Sequence, residues 1–588
     1  MDGALPEGDR VTRSRRERLL PALLAASLVA VPILADWGLS GRSALLRYSA
    51  PDAFYYHTIA RNAAVHGVFS YDGSRPTNGF HPLWQWTLAG VAALGRALGQ
   101  NDIVYLGAVF LLGTALVAAA LLLLGVALAR ARGRVPAGFA WLPVGLYGLL
   151  LLPYWIWAVD VERSVQPSQG PFPLFGTAWS YVNGMESGLV LLAVAALALT
   201  HGAPARGPLA GGVALGAAAS ALTLARLDHA LVALPFVVAA ACERRDGAPV
   251  LSRRLLPAAI LVAVLAVYLA VNLAYAGVAL PVSGTAKSSF PHPTAANLDN
   301  LARVLSGPPR NDLAVSRFYR AAQLFLPMAA ALVVLGRHRR TLRARRPPDD
   351  FDRFLARLAA GVLLLGVYDG LFVEPFAMGS WYFPASTLLV SLAPFQGRLP
   401  AARLSRRAAA AGVLATLAVF VLWQRQPDFH AVYARFLFEE APALRARFAV
   451  QPPRILEIDD GIVAFATGFP ALSGTGLALD AEAARAEREG RLLPFALARG
   501  FDHVASLVYL LPPRGEPAAD SGRRFREASR GLRAAYPDLD FEPVAVAGGS
   551  FFVLLRVRPW GEAQPAGERQ SASVDRSPGS SPISTALR

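Results

Sequence analysis

The chain contains little cysteine and little charge, and each shortage excludes a class of protein or site. Its one cysteine, Cys242, can form no disulfide within the chain and no cysteine-based metal site. Charged residues make up 17% of the 588 residues, against about a quarter in soluble globular domains. The sequence has neither a Walker A loop nor an N-x-S/T sequon. With 54% hydrophobic residues in repeated runs close to bilayer length, the chain is predicted to span a membrane many times.

The basic residues give the orientation of these runs. The formal net charge is +16, but most of the excess lies in short loops between apolar runs, so we expect no nucleic-acid partner. Loops on the cytoplasmic side carry the excess of positive charge, and the arginines before residue 19 therefore place the N-terminus in the cytoplasm.

The segment 83–98 leaves two topologies open. If it spans the bilayer, the loop with Arg130, Arg132 and Arg134 falls outside. If it lies along the outer interface, this loop and every later arginine cluster fall inside. We prefer the second arrangement, because the segment is short for a span and its tryptophans suit an interface.

The preferred arrangement predicts a mainly α fold, a polytopic transmembrane helix bundle of about 11 spans. The expected spans are approximately 19–38, 103–128, 139–158, 186–201, 209–226, 228–242, 254–276, 319–336, 354–372, 382–398 and 407–424. Because their number is odd, everything after about residue 425 is predicted to lie outside the cell membrane.

The C-terminal part has a different pattern. Short β-rich runs, "RILEIDDGIVAFATG", "HVASLVYLL" and "SFFVLLRVRPW", alternate with helical segments rich in Ala, Arg and Glu. We therefore predict a small extracytoplasmic α/β domain. The complete division is a basic cytoplasmic N-terminus (1–18), a transmembrane domain (19–425) with a long first outer loop (about 40–102), the α/β domain (426–560) and a disordered tail (561–588).

The arginine-based topology collects the polar motifs of the chain on the outer side. They are the stretch from Asp52 to Trp84, "YVNGMESG" at 181–188, "ARLDH" at 225–229, "LPVSGTAKS" at 280–288 and "EPFAMGSWYF" at 374–383. A site built from several outer loops above a helix bundle is the simplest explanation.

Asp52 is the leading candidate for catalysis. Pro51 and Asp52 suit the first turn of a helix, so a purely structural acid at a helix start is the alternative. Tyr56, four residues on, shares the face of Asp52, whereas Arg61, nine residues on, lies on the opposite face. We therefore expect no cation of the same helix to neutralise Asp52, which leaves it free to act as a base.

Polar and aromatic residues of the outer motifs are candidates for substrate binding. Asn78, His81 and Trp84 offer hydrogen bonds and an aromatic face to a sugar, or simply order the loop. Trp381 and Tyr382 would stack on a sugar or cover a lipid chain, but an aromatic belt at the interface explains them equally well.

Charged residues at the outer membrane edge form a second group. Glu186 begins a span, either as a helix-start acid or as a substrate ligand. Arg226 and Asp228 lie between two apolar runs, where ionisable groups are costly, so they serve function or pair with each other.

Lys287 is the one lysine among 57 basic residues. A compact ammonium fits a tight phosphate pocket that a planar guanidinium would not, so we predict that Lys287 contacts a phosphate; chance survival is the alternative.

Histidines of the first loop raise the question of a metal. His57, His66 and His81 accompany Asp52 and Asp72, but His57 and His66 lie on opposite helix faces and no HxxxH pair occurs. We expect no cofactor and hold a divalent metal as the less favoured alternative.

The stretches "DAFYYHTIARN…GVFSYDGSRPTNGFHPLW" and "NGMESG" resemble the bacterial branch of the GT-C class of membrane glycosyltransferases, over about residues 18–425. The resemblance implies an enzyme with a site facing away from the cytoplasm and, in many members, a polyprenyl-phosphate sugar as donor. Two departures matter. The class commonly has two adjacent acids where this chain has Pro51 and Asp52, and the WWDYG signature of oligosaccharyltransferases is absent.

Carried onto this chain, the resemblance implies that Asp52 is the general base for an acceptor hydroxyl and that transfer inverts the anomeric carbon. Lys287 and Arg226 are the candidates for the donor phosphate. The acceptor would be an envelope glycan, lipid or protein. Two other interpretations stay open: a polytopic transporter or lipid flippase, and a non-catalytic membrane scaffold whose C-terminal domain binds glycan or protein.

Overall fold

A computed structural model describes residues 7–50, 52–147, 180–201, 208–242, 251–295, 297–298, 313–373, 382–397, 406–424, 431–458, 461–507, 532–533, 536–547 and 552–559. This part of the chain is mainly helical and ends in a small mixed sheet, in agreement with the predicted fold class at that level. The predicted tail, 561–588, and Trp381 lie outside the described residues.

The helices before residue 425 correspond to the apolar runs and the first loop. They are α1 (Glu7–Ser40), α2 (Arg42–Tyr48), α3 (Ala53–His66), α4 (Pro82–Ala97), α5 (Asp102–Arg132), α6 (Leu142–Tyr147), α7 (Ser187–His201), α8 (Pro208–Ala225), α9 (Ala230–Cys242), α10 (Leu251–Ala276), α11 (Val282–Lys287), α12 (Leu313–Arg343), α13 (Asp350–Phe372), α14 (Pro384–Leu392) and α15 (Arg406–Gln424).

Four stretches in these helices are long and apolar enough to cross a bilayer by length and composition: Leu19–Ser40, Asp102–Arg132, Arg254–Ala276 and Asp350–Phe372. Ser187–His201, Leu209–Ala225, Leu227–Cys242 and Pro384–Phe395 are apolar but shorter. Only 17% of the apolar window of α10 is buried inside the protein, so this helix offers an apolar face to its surroundings. The count of eleven spans stays a prediction.

One end of the bundle is joined by Arg132, at the end of α5. Its guanidinium lies 2.8 Å from both Asp349 and Asp352, at the start of α13, and donates to the carbonyl oxygen of Phe395 at 2.7 Å. The loops after α5, before α13 and after α14 therefore meet at the same end of the bundle. This is the arrangement that the arginine clusters predict for the cytoplasmic side.

The described residues of the C-terminal part form five α-helices, a π-helical turn (Phe436–Glu440) and five strands. The helices are α16 (Ala431–Arg435), α17 (Ala441–Arg447), α18 (Ile462–Thr467), α19 (Ala481–Arg488) and α20 (Leu492–Ala498). The strands are β1 (Ile455–Glu457), β2 (Ala471–Ser473), β3 (His503–Ser506), β4 (Leu539–Ala547) and β5 (Phe552–Pro559). Their order is β2-β1-β3-β5-β4, with β1 parallel to β2 and β3, and β5 antiparallel to β3 and β4.

The run "RILEIDDGIVAFATG" was predicted to be β-rich, but it is only partly a strand. Only Ile455–Glu457 is a strand, and Ile462–Thr467 forms α18. The helix begins there because the Glu457 carboxylate accepts hydrogen bonds from the backbone N–H groups of Val463 and Ala464, at 2.8 and 3.1 Å. Gly461, at φ 93°, supplies the turn between strand and helix.

We predict that the end of the bundle near Arg132 faces the cytoplasm and that the sheet faces outwards. In a Cys242→Ala background, Val450→Cys, fully exposed at the surface, should react with a membrane-impermeant maleimide on intact cells. Arg134→Cys should react only after permeabilisation. Labelling of Arg134→Cys on intact cells would show the topology to be wrong.

Candidate active site

Asp52 lies at the N-cap of α3, but its carboxylate accepts no hydrogen bond from the helix. Its Oδ2 instead lies 3.5 Å from Nζ of Lys287, the last residue of α11, and the two side chains are 17% and 19% exposed. Arg61 points elsewhere and donates to the carbonyl oxygens of Ala464 and Phe465. Arg61 thus does not pair with Asp52, as expected. Lys287, from a distant part of the chain, is the cation partner of Asp52.

Tyr382 joins this pair to a second group of charges. Nζ of Lys287 is 5.6 Å from the centroid of the Tyr382 ring, and Cζ of Arg226 is 3.8 Å from it. Both distances suit cation–π interactions. Burial disfavours the charged form of Lys287, but Tyr382 and Asp52 outweigh this and raise the pKa of the ammonium above its ordinary value. Lys287 is therefore positively charged at neutral pH.

Arg226 is the centre of the second group, and it is 2% exposed. Its Nη1 lies 2.6 Å from Oε1 of Glu186, which is fully buried, and its Nη2 lies 3.0 Å from Oδ2 of Asp228. Nδ1 of His229 is 2.6 Å from Oδ1 of Asp228. A guanidinium this deeply buried needs such partners, because an unpaired charge there would cost several kcal/mol.

His81 borders the buried group from the first loop. Its Nε2 lies 3.7 Å from Oε1 of Glu186, and its Nδ1 is 3.4 Å from the backbone nitrogen of Leu227. Burial lowers the pKa of His81 to about 4, so the ring is neutral at pH 7 and Nδ1 can accept that N–H. The hydroxyl of Tyr56 accepts a hydrogen bond from the backbone N–H of His81 at 3.3 Å.

Three buried polar atoms near Arg226 have no hydrogen-bond partner within the described part of the chain. They are Oε2 of Glu186, Nε2 of His229 and Oδ1 of Asp369. Asp369 lies on α13, in the field of Asp228 and Arg226. Sequence reasoning singled out neither His229 nor Asp369, although an acid within an apolar span was an available signal.

Asn78 and Trp84 are buried and committed to backbone groups. Nδ2 of Asn78 donates to the carbonyls of Val278 and Leu280, both at 3.1 Å, and its Oδ1 accepts from Val282 at 3.2 Å. Asn78 thus fixes the turn that leads into α11 and Lys287. These contacts favour a supporting role for Asn78 over the predicted contact with a sugar.

Trp84 is 1% exposed, and its Nε1 donates to the carbonyl oxygen of Gly184 at 2.8 Å. Gly184, at φ 80°, packs against α3, where an added Cβ would lie 2.9 Å from Cβ of Ala53. The motif "NGMESG", which carries Glu186, therefore rests on the helix that begins at Asp52. Trp84 supports this contact and offers no open face for a sugar.

The first-loop residues considered for a metal are not gathered into one group. Nδ1 of His57 lies 3.0 Å from the hydroxyl of Tyr105, and Asp72 accepts hydrogen bonds within its own turn. Among the described residues, no group of three or more His, Cys, Asp or Glu is arranged to hold a metal ion. That the protein works without a metal stays a prediction.

The chain matches no protein-family model and no curated protein sequence. It is similar to two solved structures of ArnT from Cupriavidus metallidurans. The structure bound to undecaprenyl phosphate is 12% identical, with 95% of this chain and 100% of that chain covered and a TM-score of 0.47. The apo structure is 14% identical, with 86% and 93% covered and a TM-score of 0.46.

We predict that Trp84→Phe destabilises the protein without weakening sugar binding. The variant keeps an aromatic ring but leaves the buried carbonyl of Gly184 unpaired, which should lower the free energy of unfolding by about 1–3 kcal/mol. Thermal unfolding in detergent and the KM for the donor measure the two effects. Trp86→Phe, at a position that is 63% exposed, is the control. A large rise in KM with unchanged stability would restore the stacking role.

Proposed function

We propose that the chain is an inverting membrane glycosyltransferase that moves a sugar from a polyprenyl-phosphate donor to an acceptor hydroxyl on an envelope glycan, lipid or protein. The observation that carries the proposal is the Asp52–Lys287 pair, a carboxylate and an ammonium 3.5 Å apart at the edge of a buried charged group. A carboxylate beside an ammonium supports a base and a phosphate-binding cation in one site, within a chain whose first loop resembles that of GT-C enzymes.

Asp52 takes the proton of the acceptor hydroxyl in the proposed step. As the acceptor oxygen bonds to the anomeric carbon, the bond from that carbon to the phosphate oxygen breaks, and its electron pair stays on the phosphate. Attack opposite to the leaving group inverts the carbon. The prenyl phosphate leaves as an anion and needs charge stabilisation rather than a proton.

Lys287 couples the two substrates in this proposal. Its ammonium is shared with Asp52 in the structure, so an incoming donor phosphate competes with Asp52 for it. A carboxylate accepts a proton more readily once a neighbouring cation has moved to another anion. Donor binding therefore prepares Asp52 for its role as base.

The buried group around Arg226 suits hydroxyl recognition better than phosphate binding. Arg226 already pairs with two carboxylates and is 2% exposed, whereas Lys287 pairs with Asp52 and is 19% exposed. Glu186 and His229 each keep one buried atom without a partner in the described part of the chain, and hydroxyls of a sugar can satisfy such atoms. Tyr382, half-buried between the two cations, presents its ring beside them.

Asp52→Asn should abolish sugar transfer while the protein remains folded in the membrane, because the amide cannot take the acceptor proton. The assay incubates membranes with a panel of radiolabelled polyprenyl-phosphate sugars and identifies the labelled product. Asp102→Asn, which changes another acid in the first turn of a helix, is the control and should stay active. Near-normal turnover of purified Asp52→Asn would remove Asp52 as the base.

Lys287→Arg should impair transfer nearly as much as Lys287→Ala. The guanidinium keeps the charge but presents a planar fork, which would displace a neighbour in the space between Asp52 and Tyr382. Donor KM and turnover of both variants measure the effect. A Lys287→Arg protein with wild-type KM and turnover would contradict the shape argument and leave charge alone as the requirement.

A further inference from the structure

We propose that the C-terminal sheet is the positioning element of the catalytic segment: its carboxyl edge holds α3, and with it Asp52, through Glu457, Tyr71 and Gly461. This inference rests on the proposed function of Asp52. It assigns a role to a domain that the first-loop resemblance leaves unexplained.

The edge concerned is the one where open α/β sheets bind their ligands. The chain leaves β1 for β2 on one side and returns to β3 on the other, so a topological switch point lies between β1 and β3. Ligands of such sheets bind outside the carboxyl ends of the strands at this point. Glu457 ends β1 and Ser506 ends β3, and both residues are buried.

Residues of the first loop fill this edge. The hydroxyl of Tyr71 donates to Oε2 of Glu457 at 2.5 Å, and the same carboxylate accepts the backbone N–H groups of Val463 and Ala464. A buried carboxylate is held firmly only when its oxygens are satisfied by such donors. Glu457 therefore fixes Tyr71 and the start of α18 in one arrangement.

The helix α3 contacts the C-terminal end of α18. Arg61 donates to the carbonyl oxygens of Phe465 and Ala464 at 2.6 and 3.1 Å. The hydroxyl of Tyr55 lies 2.6 Å from Oγ1 of Thr475, in the loop after β2. Successive turns of α3 thus contact the sheet's loops, beginning three residues after Asp52.

Gly461 allows the two backbones to touch. A Cβ at this position would lie 2.7 Å from the backbone nitrogen of Tyr55 and 2.9 Å from the carbonyl carbon of Phe54. Contacts this close leave no room for a side chain unless α3 moves. The position of α3 is therefore set by direct backbone packing on the sheet as well as by hydrogen bonds.

The partner of Asp52 depends on the same domain. The hydroxyl of Thr77 donates to the carbonyl oxygen of Leu479 at 2.7 Å, and Gly79 packs directly on the backbone of Leu477. Between them lies Asn78, which fixes the turn leading to Lys287. Both members of the Asp52–Lys287 pair are consequently held by segments that rest on the C-terminal domain.

The test measures Tyr71→Phe and Glu457→Gln, as single variants and combined, in the full-length protein. We expect kcat to fall about tenfold to a hundredfold, since misplacement of a catalytic group by about 1 Å costs this much. The KM for the donor should not rise, because Lys287 is held through other contacts. Hydrogen exchange of the peptide 53–66 should become faster in each variant.

The combined variant should lose hardly more activity than Glu457→Gln alone, because Tyr71 acts through the Glu457 carboxylate, which also caps α18. Glu542→Gln is the matched control. It removes a carboxylate from an exposed ion pair with Arg558 on β4 and β5 of the same sheet and should change neither kcat nor exchange. Gly461→Ala provides a second route to the same displacement should Glu457→Gln fail to fold.

Unchanged hydrogen exchange of 53–66, or wild-type kcat with faster exchange, would overturn the positioning role. An equal loss of activity in Glu542→Gln would also overturn it. The exchange measurement needs no assumption about the reaction. Loss of activity in Asp52→Asn together with full activity in Tyr71→Phe and Glu457→Gln would refute this inference alone, whereas an active Asp52→Asn would refute the proposed function.

Discussion

A charge removed from water must meet an opposite charge, and this requirement arranges the outer end of the bundle. Arg226 is buried, so Glu186 and Asp228 must both lie against it, which brings the start of α7 and the turn between α8 and α9 together. The "NGMESG" motif that supplies Glu186 also packs on the start of α3 through Gly184. The buried ion pairs thus determine where the helix beginning at Asp52 can lie.

The same requirement shapes how a substrate could bind. Three acids, Asp52, Glu186 and Asp228, pair with two permanent cations, Lys287 and Arg226, among the described residues of the site. Since both of these cations are already paired, an anionic donor that binds to either has to exchange partners rather than add to an empty positive site. Exchange is easier at the rim than in the interior, because water can stabilise the displaced acid there. A donor phosphate can therefore exchange partners more easily at Lys287 than at Arg226.

Properties that act over a few residues could be predicted from the sequence, and pairings between distant segments could not. Helical periodicity placed Arg61 away from Asp52, and composition singled out Lys287. Neither shows that Asp52 and Lys287 lie 3.5 Å apart. Asn78 was predicted to offer hydrogen bonds to a sugar; the partners of its side chain in the structure come about 200 residues later, which no local pattern shows. The β-rich run after Arg454 turns helical at Ile462 because a buried carboxylate caps it, which no propensity encodes.

The contacts between the first loop and the sheet also restrict the topology. Tyr71 touches Glu457 and Arg61 touches α18, so both regions must lie on the same side of any membrane that the bundle crosses. The number of spans between α3 and β1 must then be even. Eleven spans with the first before α3 leave ten, which meets the condition. Adding the segment 83–98 as a further span would leave eleven and separate residues that are in contact. Any change to the number of spans between α3 and β1 must therefore be even. The helix α4 can cross the membrane only if one of the other predicted spans does not.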